Sequence, residues 1–368
     1  MIACSHVNQI TVTSQTQITA KFRVELKDFT WISSFFSINL SYIAILVSAN
    51  ILKISKMRHT ILGAGGSVGN ALTHKLLEEG KQVRLVSRSN YSVEGAMSVR
   101  GDLTSYSDTL EVIRGSDIVY LCVGLPYDHK IWREVWPEII VNTINACKEV
   151  KAKLIFFDNV YMYGKVDGVM TEDTPHKPFS KKGEVRSDIS KLLEDEMPKG
   201  DLDVIIARAA DLYGPYGTSQ NCVPHMMVFD RLMNGKRAQW MADINQPHSF
   251  TYIPDCAEGM FLLANDSNAW NQIWHLPTQS PAIDGKTFIG LAAKELGVEA
   301  EYSILTKSLM WFGKLFSKIA SEAYEMIYQN EFPYHFDSTK FNSHFNYTPT
   351  SYEEGIKATI EFIKSKSD

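Results

Sequence analysis

The chain has 368 residues, is 45% hydrophobic and carries a net charge of −5. That apolar content is enough for one large globular domain or two modest ones, and the acidic balance offers no basic footprint for nucleic acid. Its cysteines, Cys4, Cys122, Cys147, Cys222 and Cys256, form no Cys-x-x-Cys or Cys/His cluster. A disulfide framework and a zinc or other metal site are therefore not expected, and a reducing, cytoplasmic setting fits.

In chain order, residues 1–56 come first and differ from the rest. They begin Thr/Gln/Ser-rich, then run uncharged from Phe29 to Leu52, followed by Lys53, Lys56 and Arg58. That length could cross a bilayer as a helix, but serines and asparagines dilute it. Met57 leads at once into "RHTILGAGG", as a domain of this type would begin. The expectation is an extension, disordered or weakly apolar, that precedes the native start. A membrane partner is expected only if residues 29–52 are a native anchor.

From Met57 the pattern is clear. Thr60–Leu62 is a short strand that enters Gly63-Ala64-Gly65-Gly66-Ser67-Val68-Gly69. A helical stripe of Ala71, Leu72, Leu76 and Leu77 follows, Gly80 stops it, and Val83–Val86 reads as a second buried strand. This is one βαβ unit with a Gly-x-x-Gly-x-x-Gly turn. Gly63 permits the tight turn, Gly66 lets a pyrophosphate approach the backbone, and Gly69 lets the helix pack closely. Ser67 and Val68 then offer helix N-terminal N–H groups to phosphate. Asn70-Ala71 after Gly69 excludes a Walker-type loop, which needs Lys-Ser/Thr there. At the end of the second strand, Ser87-Arg88 replaces the acid that would bond a ribose 2′-hydroxyl. Arginine suits a 2′-phosphate, so NADP is the first choice of cofactor and NAD the second.

Three further strand-like runs follow, "GSDIVYLCVG", "AKLIFFDNVYMYG" and "LDVIIARAADLYGP", separated by helical patterns over Ile131–Glu149 and Glu184–Met197. Strands alternating with helices predict an α/β fold with a doubly wound parallel sheet of the Rossmann type. Ligands in such sheets bind at strand carboxyl ends, which singles out Gly124, Asp158–Tyr163 and Arg208–Asp211. Tyr127, just past a strand end, and Asp211 are candidate substrate contacts. Trp132 and Trp136 read as helix packing, and His248 and His275 have no ligand set beside them. "SLMWFGKLFSKIASEAYEMIYQ" reads as one amphipathic helix of a smaller lobe, because charges interrupt it throughout.

Together, the glycine turn, Asp102-Leu103, "VYMYG", Pro178-x-Ser180, "RAADLYGP" and "HSFTYIPDCAEGM" resemble the extended short-chain dehydrogenases/reductases, the NAD-dependent epimerase/dehydratase family. The resemblance runs from Met57 to the C-terminus. It implies a cofactor domain over 57–368 with a substrate lobe mainly from 215–335. Asp102 and Leu103 would contact adenine and Gly124 would lie against the cofactor's ribose side. The chain departs from the family pattern where chemistry is expected. The Ser/Thr position is Asn159, the Tyr position Lys182 and the Lys position Arg186.

Lys182 and Arg186 stand four residues apart on a helix whose apolar face is Val185, Ile189, Leu192 and Leu193. Like charges at that spacing repel, so either they form a solvated strip or something in a cleft offsets them: cofactor oxygens, Asp158 or Asp211. In the cleft, Lys182 would transfer a proton, Arg186 would hold the cofactor ribose, and Asn159 would donate a hydrogen bond to a substrate carbonyl. Tyr161 is a second proton donor to consider, although an ordinary tyrosine is a poor base. The functional expectation is an NAD(P)-dependent oxidoreductase or epimerase acting on a small-molecule carbonyl or sugar-like hydroxyl. The alternative is a catalytically silent NAD(P)-binding sensor. A homodimer is left open.

Overall fold

Seven strands form one parallel sheet: β1 Arg58–Leu62, β2 Gln82–Ser87, β3 Met97–Arg100, β4 Ile118–Leu121, β5 Lys153–Asp158, β6 Val204–Arg208 and β7 Gln272–His275, all but the edge strand β3 largely buried. Their order is β7-β6-β5-β4-β1-β2-β3, so the winding direction reverses between β1 and β4. In sheets of this kind the ligand crevice lies at that switch point, outside the strand carboxyl ends. The computed structural model describes residues 57–89 and 91–367, all within one unit, Lys56–Asp368. The extension 1–56, with its apolar run 29–52, lies outside the described residues.

Side-chain alternation along the strands fills two cores. Ile61, Tyr120, Ile155 and Ile205 face one side, against Leu72 and Leu76 of helix α1 (Ser67–Glu78) and Met260 and Leu263. Leu62, Leu121, Phe156 and Ile206 face the other side, against Trp132, Trp136 and Ile140 of α2 (His129–Val150) and Val185, Ile189 and Leu193 of α3 (Lys181–Glu194). Both tryptophans pack as expected. A third core, around Phe229, Trp240, Phe250, Phe288 and Ile356, belongs to the C-terminal lobe.

Two expected elements differ. Helix α3 begins three residues earlier than its apolar periodicity indicates, because Ser180 caps it: its hydroxyl accepts a hydrogen bond from the Gly183 N–H at 3.0 Å. Leu192, expected on the apolar face, is exposed. The run Ser308–Gln329 is not one helix. It breaks into Lys307–Gly313, Lys318–Tyr324 and Tyr328–Glu331. The break after Gly313 is fixed by Ser317, whose hydroxyl accepts from the Ala320 N–H at 3.3 Å and starts a new helix.

Candidate functional site

The cofactor end is shaped by steric limits on two glycines. At Gly63 φ is +89°, and a Cβ there would lie 2.6 Å from Val123 Cα, in the segment leaving β4. A Cβ on Gly69 would lie 2.9 Å from the Gly63 carbonyl oxygen, so the helix could not enter at this depth. The turn is tied back to β2 by the Gly63 and Ala64 N–H groups, which donate to Val86 O at 3.0 and 3.1 Å. Ser67, Val68 and Gly69 are buried at the start of α1, where the first helical N–H groups have no intrahelical acceptor. Next to Val123, Gly124 has open space where its Cβ would be. These residues fit a pyrophosphate seat.

Tyr91 escaped the sequence reading. Its ring lies 3.2 Å from the Cβ position of Gly65, and its hydroxyl donates to the Asn70 side chain. It therefore walls the glycine turn. Arg88 is exposed, with Asp102 within electrostatic reach. Asp102 is held below the usual carboxylate range, first by hydrogen bonds from the Thr104 N–H and hydroxyl and then by Arg88. Leu103 is buried beside Val86 and Val112.

At the other end of the crevice, Lys182 and Arg186 are both buried, which removes the solvated-strip reading. Each cation has its own acid. Arg186 Nε donates to Asp158 Oδ1 at 2.8 Å, and its guanidinium lies 4.6 Å from the Trp136 ring centroid and 5.2 Å from that of Phe156. Lys182 Nζ reaches Glu322 Oε2 at 2.6 Å, Glu325 Oε1 at 2.9 Å and the Glu322 carbonyl at 3.0 Å. All three ammonium N–H donors are thus engaged by one C-terminal segment. The acids that face Lys182 were not foreseen, because they lie far along the chain. Asp211 does not take the expected part in offsetting the two cations. It accepts from His248 Nε2 at 2.9 Å and lines a hollow with Met227, Trp240, Phe250 and Asn330.

The remaining candidates gather around this pair. The Asn159 side-chain oxygen accepts from the Tyr161 N–H at 3.0 Å, so its amide N–H₂ end is turned the other way. The Tyr161 ring stacks on Trp132, with centroids 6.2 Å apart. Burial pushes the Tyr161 phenol well above its ordinary value, an effect that Asp211 reinforces. Tyr127 is exposed, meets Trp132 edge-on and lies under Lys182 Nζ at 4.3 Å.

Beneath the site runs a buried relay. Arg208 donates to Tyr163 Oη at 2.8 Å, Tyr163 meets His275 Nε2 at 2.8 Å, and His275 Nδ1 meets the Asp337 carbonyl at 2.7 Å. The carbonyl requires the proton on Nδ1, so Tyr163 donates to Nε2. Burial raises Tyr163 to about 12 and lowers His275 to about 3. Asp128, His129 and Glu322 also converge, but Lys318 and Lys182 occupy the place a cation would take.

The sheet order, the glycine turn and the crevice at the switch point define a Rossmann-type protein of the extended short-chain kind. The chain belongs to the NAD dependent epimerase/dehydratase family, whose model matches residues 59–275, more than half of its length. Solved structures agree on the fold. MoeE5, in complex with UDP-glucuronic acid and NAD, is 20% identical with a TM-score of 0.68, covering 84% of this chain and 99% of that one. UDP-glucuronic acid 4-epimerase from Bacillus cereus, in complex with NAD, is 20% identical with a TM-score of 0.69, covering 85% and 100%. UDP-glucose 4-epimerase from Thermotoga maritima, with UDP-glucose, is 18% identical with a TM-score of 0.69, covering 85% and 100%.

Proposed function

We propose that the chain is an NAD(P)-dependent oxidoreductase or epimerase acting on a carbonyl or sugar-like hydroxyl with a non-standard catalytic set. The observation that carries this reading is the pairing of a sterically enforced glycine turn with buried, acid-matched cations at the opposite wall of one crevice. When bound, the dinucleotide supplies the hydride chemistry. Gly63, Gly66 and the N–H groups of Ser67–Gly69 seat its pyrophosphate. Gly124 leaves room for the ribose side, and Arg186, fixed by Asp158, faces the nicotinamide ribose. Asn159 donates its amide hydrogen to the substrate oxygen. Lys182 moves the proton once substrate displaces Glu322 or Glu325 from one of its donors. Tyr161 packs beside the reacting centre and is a weak candidate base, because burial disfavours its anion.

NAD is the cofactor to test first, which reverses the order expected from Arg88. That arginine lies exposed within electrostatic reach of Asp102, whose charge repels a 2′-phosphate, and two of the solved structures named above, MoeE5 and the Bacillus cereus epimerase, hold NAD. The same relatives make a nucleotide sugar the first substrate class to try, with Asp211 and Tyr127 as its contacts. The cofactor domain is taken as 57–368 with its substrate lobe mainly over 215–335.

One observation favours a second reading, a dinucleotide-binding sensor without turnover: every donor of Lys182 is already satisfied within the protein. NADH and NADPH fluorescence titrations, followed by turnover with nucleotide sugars, aldehydes and ketones, separate the two. Tight binding without turnover across the panel selects the sensor. Full turnover by Lys182→Met removes Lys182 from the mechanism.

A further inference from the structure

Exposed large apolar side chains are scattered singly over most of the described surface, as is normal. One stretch departs from this. Leu309, Trp311, Phe312, Leu315, Phe316 and Ile319 are 54%, 49%, 57%, 57%, 77% and 78% exposed. They lie on the helices Lys307–Gly313 and Lys318–Tyr324 and on the turn between them, with the Phe312 and Phe316 rings 5.1 Å apart. A contiguous patch of this kind marks a surface that something covers.

The inner side of the same element is firmly held. Met310 is buried, Glu322 is locked between Lys182 and His129, and Lys318 pairs with Asp128. The apolar side chains are therefore displayed outward by a docked scaffold. Their charge setting identifies the occupant. From Tyr302 to Ser321 there is no aspartate or glutamate, while Lys307, Lys314 and Lys318 stand among the aromatic residues, in a chain whose net charge is −5. Lys307 and Lys318 remain 57% and 70% exposed while paired with Glu331 and Asp128, and Lys314, whose Nζ lies 4.4 Å from the Tyr324 ring centroid, has no ion pair among the described residues. A second copy of this face would set these lysines against their own counterparts. An anionic lipid headgroup layer complements them, and the Trp, Phe, Leu and Ile side chains suit the headgroup–acyl boundary. No helix among the described residues is long and apolar enough to cross a membrane, so the element would lie in the surface plane.

We propose that residues 307–319 form an interfacial docking face for an anionic lipid surface. This inference is independent of the catalytic reading, because it uses only the outer side of the element.

Vesicle co-sedimentation of the full chain tests it, with phosphatidylcholine alone and with phosphatidylcholine containing phosphatidylglycerol. Wild type is expected on the anionic vesicles and largely free of the neutral ones. Phe316→Ser with Ile319→Ser should weaken binding by about a hundredfold, since each side chain removed from the lipid costs about tenfold. Lys314→Glu should weaken it by about fivefold or more, on anionic vesicles only. Circular dichroism melts check that the variants fold, and if the double variant does not, Lys314→Glu decides alone. The proposal is overturned if wild type ignores anionic vesicles, or if the variants bind as wild type does, which would move the binding to residues 1–56. It is also overturned if wild type sizes as a dimer that the double variant splits, which would assign the face to a second copy.

Discussion

Between Gly63 and Val86 the cofactor end closes on itself: the turn, the helix it feeds and the strand it ties back to are neighbours in sequence. The opposite wall is assembled from distant parts. Lys182 finds Glu322 140 residues further on, and Arg186, on helix α3, sits on Asp158 at the end of strand β5. At the first end function requires the absence of side chains, so the constraint is steric and local. At the second it requires buried charges, and these are tolerable only where partners arrive from elsewhere in the chain.

The sharpest way to break this comparison is Arg186→Met. It strands a fully buried Asp158 carboxylate, whose other cation, Arg208 Nε, is 3.8 Å away. A loss of about 3–5 kcal/mol is expected in urea unfolding, with much of it restored by adding Asp158→Asn. An additive double variant would show that the pair is not coupled. Next is Gly63→Ala, which puts a Cβ into the Val123 backbone at a positive φ. About 3 kcal/mol of stability and measurable NADH binding should both disappear, while Gly80→Ala, in open space, should keep NADH binding.

Lys182→Met should cost about 2–3 kcal/mol, less than the arginine change, because His129 Nδ1 still meets Glu322 at 2.7 Å. A thermal melt beside a turnover assay separates its structural share from its chemical share. Acid sensitivity should arise from the buried histidines. Burial holds His275 near 3 and His59 near 4, below the ordinary 6.5. The unfolded chain therefore binds more protons between about pH 6.5 and those values, and stability falls as pH drops through that window. The slope is up to about 1.4 kcal/mol per pH unit for each histidine. Melting temperatures from pH 7 to 4 should fall less steeply in His275→Asn. The smallest change expected is Glu325→Gln, about 1 kcal/mol or less, because that carboxylate is partly solvated and Glu322 remains on Lys182.

How much was legible follows the same division. The Gly-x-x-Gly-x-x-Gly spacing, the buried strand runs and the parallel α/β sheet were readable from Met57 onward, since each is written in adjacent residues. The start of α3 was missed by three residues because a cap is a single hydroxyl, which leaves no mark on the apolar period. Tyr91 had no signal beyond its nearness to the end of β2. The expectation of NADP rests on Arg88 alone, and Asp102 comes within electrostatic reach of it only through folding.

By itself the sequence determined where the chain can bend and which faces must be buried, because backbone freedom and side-chain period are local properties. Only the tertiary structure decided that Lys182 and Arg186 are buried cations with separate acids, and that an apparent single helix after Thr306 is broken and turned apolar side out. Charge pairing and exposure depend on what other segments bring within a few ångströms, and no spacing along one segment encodes that.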